Sequence, residues 1–316
     1  MLRSAVAVDI LTGFLGSGKT TLLRHALTHG LQGQPVAVIM NEIGEVGIDG
    51  RVITGLANVE RIVELSNGCI CCTIDDYRFD RAVQEILDTT NPHALIIETT
   101  GLADPVALAE RVTGAGLRLD AIITVVDADV VASQLDQVAV VRRQIEAADF
   151  LVINKIDLLE TVELDLLSKR LRQRNPRAEQ MRTERGMVDT DLLFATGAAR
   201  HRTHAATHRH DLASDGFSSF VHHTTSPVDA AAFTAMLDHL PAQVVRAKGV
   251  VRFVDDEPSY VVNFTCGRYD VSPLAAAWGD GGQMVFIGRA LDTVEPPIRA
   301  AFAACERPTP TSRSHV

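Results

Sequence analysis

The stretch Gly13-Phe14-Leu15-Gly16-Ser17-Gly18-Lys19-Thr20-Thr21 decides the fold of this chain. It has the form G-x-x-x-x-G-K-T, the pattern of a loop that binds the phosphates of a nucleoside triphosphate. An apolar, strand-like run, Ala5–Leu11, precedes the loop, and a segment that can form a helix, Lys19–Thr28, follows it. Because this motif works only between a strand and a helix, the sequence predicts a phosphate-binding loop here, and not merely a glycine-rich turn.

Each residue type in the loop has a chemical role toward phosphate. Glycines let backbone N–H groups curl around phosphate oxygens without interference from a Cβ atom. Lys19 brings a positive charge to the β and γ phosphates, and the Thr20 hydroxyl is placed to bind Mg²⁺. The helix that begins near Lys19 points the positive end of its dipole at the same phosphates. The predicted nucleotide-binding residues of the loop are Gly13, Gly16, Ser17, Gly18, Lys19, Thr20 and Thr21.

Composition restricts the class of protein. The chain has 316 residues, 46% of them hydrophobic, and a formal net charge of −10, which disfavours nucleic acid as a partner. No apolar run reaches the roughly 18–20 residues of a membrane span. The first strand leads directly into the glycine loop, so it cannot be a removable signal peptide. We therefore expect a cytoplasmic protein without a membrane partner, and a monomer or weak homo-oligomer.

Up to about residue 200, short apolar strands alternate with amphipathic helices. The strand candidates are Ala5–Leu11, Val36–Met40, Ala94–Glu98, Ala121–Val126 and Phe150–Asn154. The helix candidates are Lys19–Thr28, Tyr77–Thr89, Ala107–Val112, Gln137–Ala147 and Leu164–Arg174. This alternation predicts an α/β fold of the P-loop NTPase type, in which a parallel sheet carries helices on both faces. Ligands then bind at the carboxyl ends of the strands.

The alternation of strands and helices ends after residue 197, which we take as the end of a P-loop domain covering residues 1–197. Residues 198–215 are polar, lack apolar periodicity and are predicted to be a linker. Residues 216–306 read as a smaller C-terminal α+β domain, and residues 307–316 as a disordered tail. The linker contains the histidines His201, His204, His208 and His210. They either bind metal or belong to a solvated linker without a ligand.

The motif Asn154-Lys155-Ile156-Asp157 points to guanine as the base. It follows a predicted strand, so it lies at the same sheet edge as the glycine loop. The Asp157 carboxylate can accept hydrogen bonds from both N1 and N2 of guanine. Adenine offers no such pair, so the sequence predicts binding of GTP rather than ATP.

The segment Leu95–Gly101 is predicted to be the second phosphate-side element. An apolar strand that ends in an acid holds Mg²⁺ in nucleoside triphosphatases, and here the acid is Glu98. The N–H of Gly101 can approach the γ-phosphate, which would make the following residues sensitive to the nucleotide. A strand with a solvated terminal Glu is the alternative interpretation.

The segment Asn41–Gly50 contains three acids and three glycines. A flexible backbone with carboxylates suits a switch segment close to Mg²⁺ and the γ-phosphate. An acidic surface loop is the alternative.

Three cysteines occupy four positions in Asn67-Gly68-Cys69-Ile70-Cys71-Cys72. In a reducing compartment such a cluster favours metal binding over disulfides. Thiolates prefer soft or borderline ions such as Zn²⁺, Cu⁺ and Co²⁺. Two or three ligands leave open coordination positions, which suits transfer of the metal. Buried apolar cysteines and a redox switch are the alternatives.

Taken together, these motifs resemble those of the CobW-like family of P-loop GTPases, a family of metallochaperones. The resemblance rests on GFLGSGKTT, NEIGEVGID, NGCICC, ETTGLADP and NKID, and continues through KGVVRFVDDEPSYVVNF and WGDGGQMVFIGRALD near the C-terminus. It implies GTP hydrolysis coupled to the binding and delivery of zinc or cobalt to a client apo-metalloprotein. It also implies that Cys69, Cys71 and Cys72 are metal ligands, that Glu45 is a further ligand and that Glu42 lies on the Mg²⁺ side.

Intrinsic hydrolysis is expected to be slow. No Gln follows the Glu98–Gly101 segment to orient water, and no arginine finger is evident in the chain. The residues expected to act in hydrolysis are Lys19, Thr20, Glu98 and Gly101. Two other functions fit the same motifs: a GTP-gated metal buffer or sensor, and a GTPase that activates one metalloenzyme without transferring metal.

Overall fold

The computed structural model describes residues 6–31, 35–42, 59–66, 76–194, 217–254, 256, 258–274 and 281–307. The described residues belong to two compact units, one within Ala5–Gly197 and one within Ala198–Val316. The predicted linker, 198–215, and all but the first residue of the predicted tail, 307–316, lie outside the described residues.

The first unit is built on a parallel sheet of seven strands. Its strands are β1 (Ala7–Thr12), β2 (Val36–Glu42), β3 (Val59–Ser66), β4 (Ala94–Glu98), β5 (Arg118–Asp127), β6 (Phe150–Asn154) and β7 (Glu179–Thr183). They lie in the order β3-β2-β4-β1-β5-β6-β7, and each neighbouring pair is parallel. Strands β1, β4 and β6 are buried along their whole length, so they read as continuous apolar runs.

The described residues of this unit include seven helices, of which the first six lie between these strands in the chain and the last follows β7. They are α1 (Lys19–His25, continued by a π-helical turn over Ala26–Gly30), α2 (Asp76–Thr89), α3 (Pro105–Gly114), α4 (Ala128–Gln137), α5 (Ala139–Ala147), α6 (Thr161–Arg174) and α7 (Thr190–Leu193). Buried residues of α2 and α3 form one core cluster with the sheet, and those of α4, α5 and α6 form another. The alternate residues of these strands, whose side chains point to the other face of the sheet, are also fully buried; examples are Val38, Ile96 and Val152. Both faces of the sheet are therefore covered, and the predicted fold class is confirmed.

Two helices that follow one another in the chain show where the sequence-based prediction was incomplete. The predicted helix Gln137–Ala147 begins at Ala139, because Val138 is extended and separates it from α4. Helix α4 was not predicted, although its start carries a clear signal. The Asp127 side chain accepts a hydrogen bond from the Asp129 N–H and caps the helix.

In its described residues, the second unit is an antiparallel sheet of five strands with two helices. The strands are β8 (Phe217–Thr224), β9 (Val244–Arg252), β10 (Ser259–Thr265), β11 (Arg268–Pro273) and β12 (Gly282–Arg289), and the helices are α8 (Ala230–Asp238) and α9 (Glu295–Cys305). The strand order is β11-β10-β9-β12-β8. Strands β10 and β11 form a hairpin whose two turn residues, Cys266 and Gly267, both have positive φ, as a tight hairpin turn requires.

No helix in the described part of the chain combines the length and the hydrophobicity that a membrane crossing would need.

The side chain of Asn175 ties the end of α6 to the end of α5. It is buried, and its Nδ2 atom lies 2.8 Å from the Ile145 carbonyl oxygen and 2.9 Å from that of Ala148. Its Oδ1 atom accepts from the N–H groups of Arg177 and Ala178, both at 3.1 Å. These bonds satisfy backbone groups that the ends of the two helices would otherwise leave unpaired.

Replacing Asn175 by Ala should lower the free energy of unfolding by about 3 kcal/mol, because buried backbone groups lose their partner. The measurement is the shift in the urea midpoint, followed by circular dichroism. Gln173→Ala, an exposed position on the same helix, is the matched control and should leave the midpoint unchanged. Equal midpoints for the two variants would show that Asn175 does not brace the two helices.

Candidate nucleotide-binding site

The predicted site residues come together at one edge of the parallel sheet. Strands β1, β4 and β6 end at Thr12, Glu98 and Asn154, and the glycine loop follows the first of these. Because β1 pairs with both β4 and β5, and β5 pairs with β6, their carboxyl ends share the same edge. The fold therefore brings together three motifs that lie up to about 140 residues apart in the chain.

The glycine loop leaves no space for side chains at two of its positions. Gly13 and Gly18 have φ angles of +137° and +104°. A Cβ atom on Gly13 would lie 2.1 Å from the Val125 carbonyl oxygen, and one on Gly18 would lie 2.3 Å from Asn154 Nδ2. Glycine is required at these positions by both backbone conformation and contact.

Two polar groups in the loop are held where a phosphate would bind. Lys19 is buried, and its Nζ donates to the carbonyl oxygens of Gly13, at 2.8 Å, and Phe14, at 3.2 Å. The ammonium group thus lies inside the curve of the loop. The Ser17 hydroxyl is buried and has no hydrogen-bond partner among the described residues. A buried hydroxyl of this kind fits a polar ligand that supplies the missing bond.

A hydroxyl and a carboxylate meet beside the loop. Thr20 Oγ1 donates to Glu98 Oε1 at 2.7 Å, and Glu98 is buried. These two oxygens come from the start of α1 and the end of β4. Mg²⁺ prefers such hard oxygen ligands and is commonly held by one or two carboxylates together with phosphate oxygens. The donor set therefore fits Mg²⁺, with Thr20 and Glu98 as the residues that would hold it.

In the Asn154–Asp157 motif, the side chains of Asn154 and Lys155 bind other parts of the protein, whereas the Asp157 carboxylate is accessible. Asn154 Nδ2 donates to the Ser17 carbonyl oxygen at 2.9 Å, and Asn154 Oδ1 accepts from the Gly186 N–H at 3.0 Å. Lys155 has a left-handed backbone with φ +62° and forms an ion pair with Asp127 at 2.6 Å. Asp157 lies in the short 3₁₀ turn Ile156–Leu158 and is exposed, as a carboxylate that pairs with a base must be before the base binds.

The loop after Glu98 is anchored by residues that the sequence analysis did not single out. Gln144, on α5, is buried, and its Nε2 donates to the carbonyl oxygens of Gly101, at 3.2 Å, and Ala103, at 3.0 Å. The adjacent Arg143 forms an ion pair with Asp104 at 2.9 Å. A signal was present in the sequence, because Gln144 is a polar residue between the apolar positions Val141 and Ile145.

Gly101 also contacts the glycine loop directly. A Cβ atom at Gly101 would lie 2.5 Å from the backbone nitrogen of Leu15. The loop after β4 and the phosphate loop therefore touch each other through backbone, and a change in one must be felt by the other.

The predicted metal ligands Cys69, Cys71, Cys72 and Glu45 lie outside the described residues, as does the side chain of Glu42. The strands that lead to these segments are described. Strand β2 ends at Glu42 and β3 ends at Ser66, and these two residues are partners in the sheet register. Both segments therefore leave the sheet at the edge that carries Glu98. Within the described residues, no group of three or more His, Cys, Asp or Glu side chains is arranged to hold a metal ion.

The seven-stranded parallel sheet, the glycine loop and the Thr20–Glu98 pair define the class of protein as a P-loop nucleoside triphosphatase. Two family models match the chain. The model described as "CobW/HypB/UreG, nucleotide-binding domain" matches residues 7–182, and the model "Cobalamin synthesis protein cobW C-terminal domain" matches residues 217–306. The chain belongs to the CobW/HypB/UreG family, and the resemblance seen in its motifs is confirmed.

Known proteins resemble the chain over most of its length. The zinc chaperone YjiA of Escherichia coli (strain K12) is 33% identical over 324 residues, which cover 96% of this chain and 99% of that protein. The zinc-regulated GTPase metalloprotein activator 1 of Schizosaccharomyces pombe is 37% identical over 195 residues, which cover 58% of this chain and 47% of that protein. A crystal structure of Zn(II)-bound YjiA GTPase from E. coli is 27% identical, covers 96% of this chain and 100% of its own, and gives a TM-score of 0.45.

Replacing Gln144 by Met should weaken binding of a non-hydrolysable GTP analogue about tenfold and leave GDP binding within about twofold. Methionine keeps the length of the side chain but cannot donate to the Gly101 and Ala103 carbonyl oxygens. The loop expected to contact the γ-phosphate then loses its anchor, whereas the rest of the site is untouched. Equilibrium titration with fluorescent nucleotides measures both affinities.

The exposed Gln137→Met is the control for this variant and should bind both nucleotides normally. An equal loss of GDP and GTP-analogue affinity in Gln144→Met would indicate a general structural defect instead of a role toward the γ-phosphate.

Proposed function

We propose that this chain is a slow GTPase that couples its nucleotide state to the binding of a transition metal, zinc or cobalt, and to delivery of that metal to a client apo-metalloprotein. One observation carries the proposal. The strand ends that lead to Glu42 and to the cysteine segment lie side by side, at the same sheet edge as Glu98 and the phosphate loop. The names of the relatives, a zinc chaperone and a zinc-regulated GTPase, support the same function.

In this proposal the phosphate loop and its surroundings bind GTP. The residues proposed to hold the phosphates are Gly13, Gly16, Ser17, Gly18, Lys19, Thr20 and Thr21. Thr20 and Glu98 hold Mg²⁺, which neutralises charge on the β and γ phosphates when bound. The Gly101 N–H approaches the γ-phosphate, and Gln144 keeps that segment in position. Asn154 and Lys155 shape the base pocket, and Asp157 pairs with guanine.

The preference for guanine rests on the Asp157 carboxylate and can be tested by replacing this carboxylate with an amide. Asp157→Asn should lower GTP affinity by at least about 100-fold, because a buried donor on N1 or N2 loses its charged acceptor. Xanthosine triphosphate should bind the variant better than GTP, since an amide can donate to the xanthine O2. Competition titration measures both nucleotides. Asp129→Asn, at an exposed helix start, is the control and should keep the preference for GTP.

We expect slow intrinsic hydrolysis because the described residues of the site include no glutamine placed to orient the attacking water. Gln144 is the glutamine close to Gly101, but it is buried and its amide is engaged with carbonyl oxygens. A P-loop GTPase without a group to orient water turns over slowly until a partner supplies one, with a gain of about 10³–10⁵. The proposed cycle therefore ends when the client or the metal completes the site.

An exposed apolar group next to the loop supports a protein partner. Leu15 is 58% exposed, and Leu102 and Val106 are each 45% exposed. Leu15 belongs to the phosphate loop, and the other two follow the Gly101 contact with it. The affinity of a partner that binds these side chains would depend on the conformation of both loops. This observation favours client contact over a metal buffer that acts alone.

The metal and nucleotide sites should be reciprocally coupled, because the segments that carry the metal ligands leave the sheet beside Glu98. GTP should tighten Zn²⁺ binding, typically by about 1–3 kcal/mol or 5–150-fold, and Zn²⁺ should tighten GTP binding by the same factor. The experiment compares Zn²⁺ affinity in the presence of GDP and of a non-hydrolysable GTP analogue. Equal affinities in both states would overturn the coupling.

Cysteine variants separate the metal site from the GTPase. Cys71→Ser combined with Cys72→Ser should abolish the nucleotide-dependent Zn²⁺ binding and preserve GDP binding. Cys266→Ser is the matched control, because Cys266 lies in the β10–β11 turn of the other unit. In single-turnover reactions, release of Zn²⁺ to a fluorescent chelator should follow GTP hydrolysis in time. Release that is independent of hydrolysis would favour the buffer or sensor, or activation without metal transfer.

A further inference from the structure

Two histidines lie one above the other at the far end of the helix that follows the phosphate loop. His25 is the last residue of α1, and His29 lies four residues later, in the π-helical turn Ala26–Gly30. Their ring centroids are 5.0 Å apart, with an angle of 48° between the ring planes. His25 is half-buried and His29 is exposed. We refer to these residues as the His25–His29 pair.

The spacing of the pair suits two ligands of one metal ion. Histidines at positions i and i+4 of a helix share a face, and this is the arrangement by which helical His pairs bind zinc. With Zn–N bonds of about 2.1 Å, two imidazoles at a tetrahedral angle have ring centroids about 5 Å apart. The observed centroid separation of 5.0 Å matches the one that such a pair of ligands requires.

The surroundings of His25 also suit a metal ligand. One of its ring nitrogens donates a hydrogen bond to the backbone carbonyl of Val188. Metal-binding histidines commonly donate one ring N–H to a carbonyl oxygen, which orients the ring and leaves the other nitrogen for the metal. Burial and, to a lesser degree, the neighbouring His29 lower the pKa of His25. This shift favours the neutral imidazole, which is the form that coordinates metal.

The pair has no function in the nucleotide site. Helix α1 places Lys19 and Thr20 at its first turn, whereas His25 lies in its last turn and His29 in the π-helical turn that follows. Packing of leucines buries the helix without help from His29, because Leu22, Leu23 and Leu27 are fully buried. Neither phosphate binding nor core packing therefore explains why two imidazoles lie side by side here.

We propose that the His25–His29 pair is a second transition-metal site, distinct from the cysteine cluster, which takes an ion that accepts imidazole ligands, such as Zn²⁺. No third His, Cys, Asp or Glu side chain of the described residues joins the pair. Water would complete the coordination, and such an open site exchanges its ion readily.

The position of the pair links it to the base-binding motif through one short segment. Val188, which accepts from His25, lies two residues after Gly186. Gly186 packs against Leu22 of α1, where a Cβ atom would lie 2.8 Å from the Leu22 Cα. The Gly186 N–H donates to Asn154 Oδ1. An ion on the pair would therefore restrain the same segment that positions Asn154.

The test uses the full chain with GDP bound and with Cys69, Cys71 and Cys72 replaced by Ser, so that the proposed cysteine site is absent. Zn²⁺ is titrated against a chromophoric chelator. Adding His29→Gln to this background should remove one equivalent of bound Zn²⁺ or weaken it at least tenfold. His93→Gln changes an exposed histidine of the same unit and should leave Zn²⁺ binding unchanged.

A second measurement observes His25 directly, because replacing this half-buried residue would disturb folding. In protein labelled with ¹⁵N-histidine, the first equivalent of Zn²⁺ should shift the ring resonances of His25 and His29 together. Equal Zn²⁺ binding in the His29→Gln and parent proteins, or His25 resonances unmoved by one equivalent, would overturn the proposal. Neither result would bear on the cysteine site, since the cysteines are absent throughout.

Discussion

The structure of the nucleotide edge depends on one buried side chain, that of Asn154. Its amide donates to the Ser17 carbonyl of the phosphate loop and accepts from the Gly186 N–H. Three segments far apart in the chain are thereby joined at the end of β6. Gly18 must be glycine because a Cβ atom would occupy the place of this amide. Since buried amides are costly to leave unpaired, the phosphate loop and the base motif hold each other in position before any nucleotide binds.

The two sides of this sheet edge differ: side-chain contacts hold one side in place, and the chain leaves the sheet on the other. On the β5–β6 side, the loop after Glu98 is fastened to α5 by Gln144 and Arg143. On the other side, β2 and β3 end together and lead into the segments that carry the predicted metal ligands. A braced phosphate site beside such segments suits a switch, because γ-phosphate contacts can bias one part of the site without disturbing the rest. The family assignment and the proposed metal delivery agree with this arrangement.

Sequence reasoning succeeded where strands are buried and failed where they lie at an edge. Strands β4 and β6 were predicted with their observed bounds, since they are central and uniformly apolar. The strands of the parallel sheet that were missed are β3 and β7, and these two strands lie at its two ends. The sequence of β7, Glu-Gln-Met-Arg-Thr, shows the reason: a strand with one unpaired side needs less apolar surface and carries a weaker pattern. Gln144 was missed because its role depends on carbonyl groups more than 40 residues away.

The sequence by itself determined the class of fold, the phosphate loop, the Glu98 strand end and the family, because these depend on local patterns of glycines, apolar runs and short motifs. Only the tertiary structure decided that Thr20 meets Glu98, that Asn154 braces the glycine loop while Asp157 stays exposed, and that Gln144 anchors the loop after β4. Such pairings depend on the order and register of parallel strands, which no local pattern encodes. A parallel sheet brings distant strand ends to one edge, and the chemistry of the site follows from that edge.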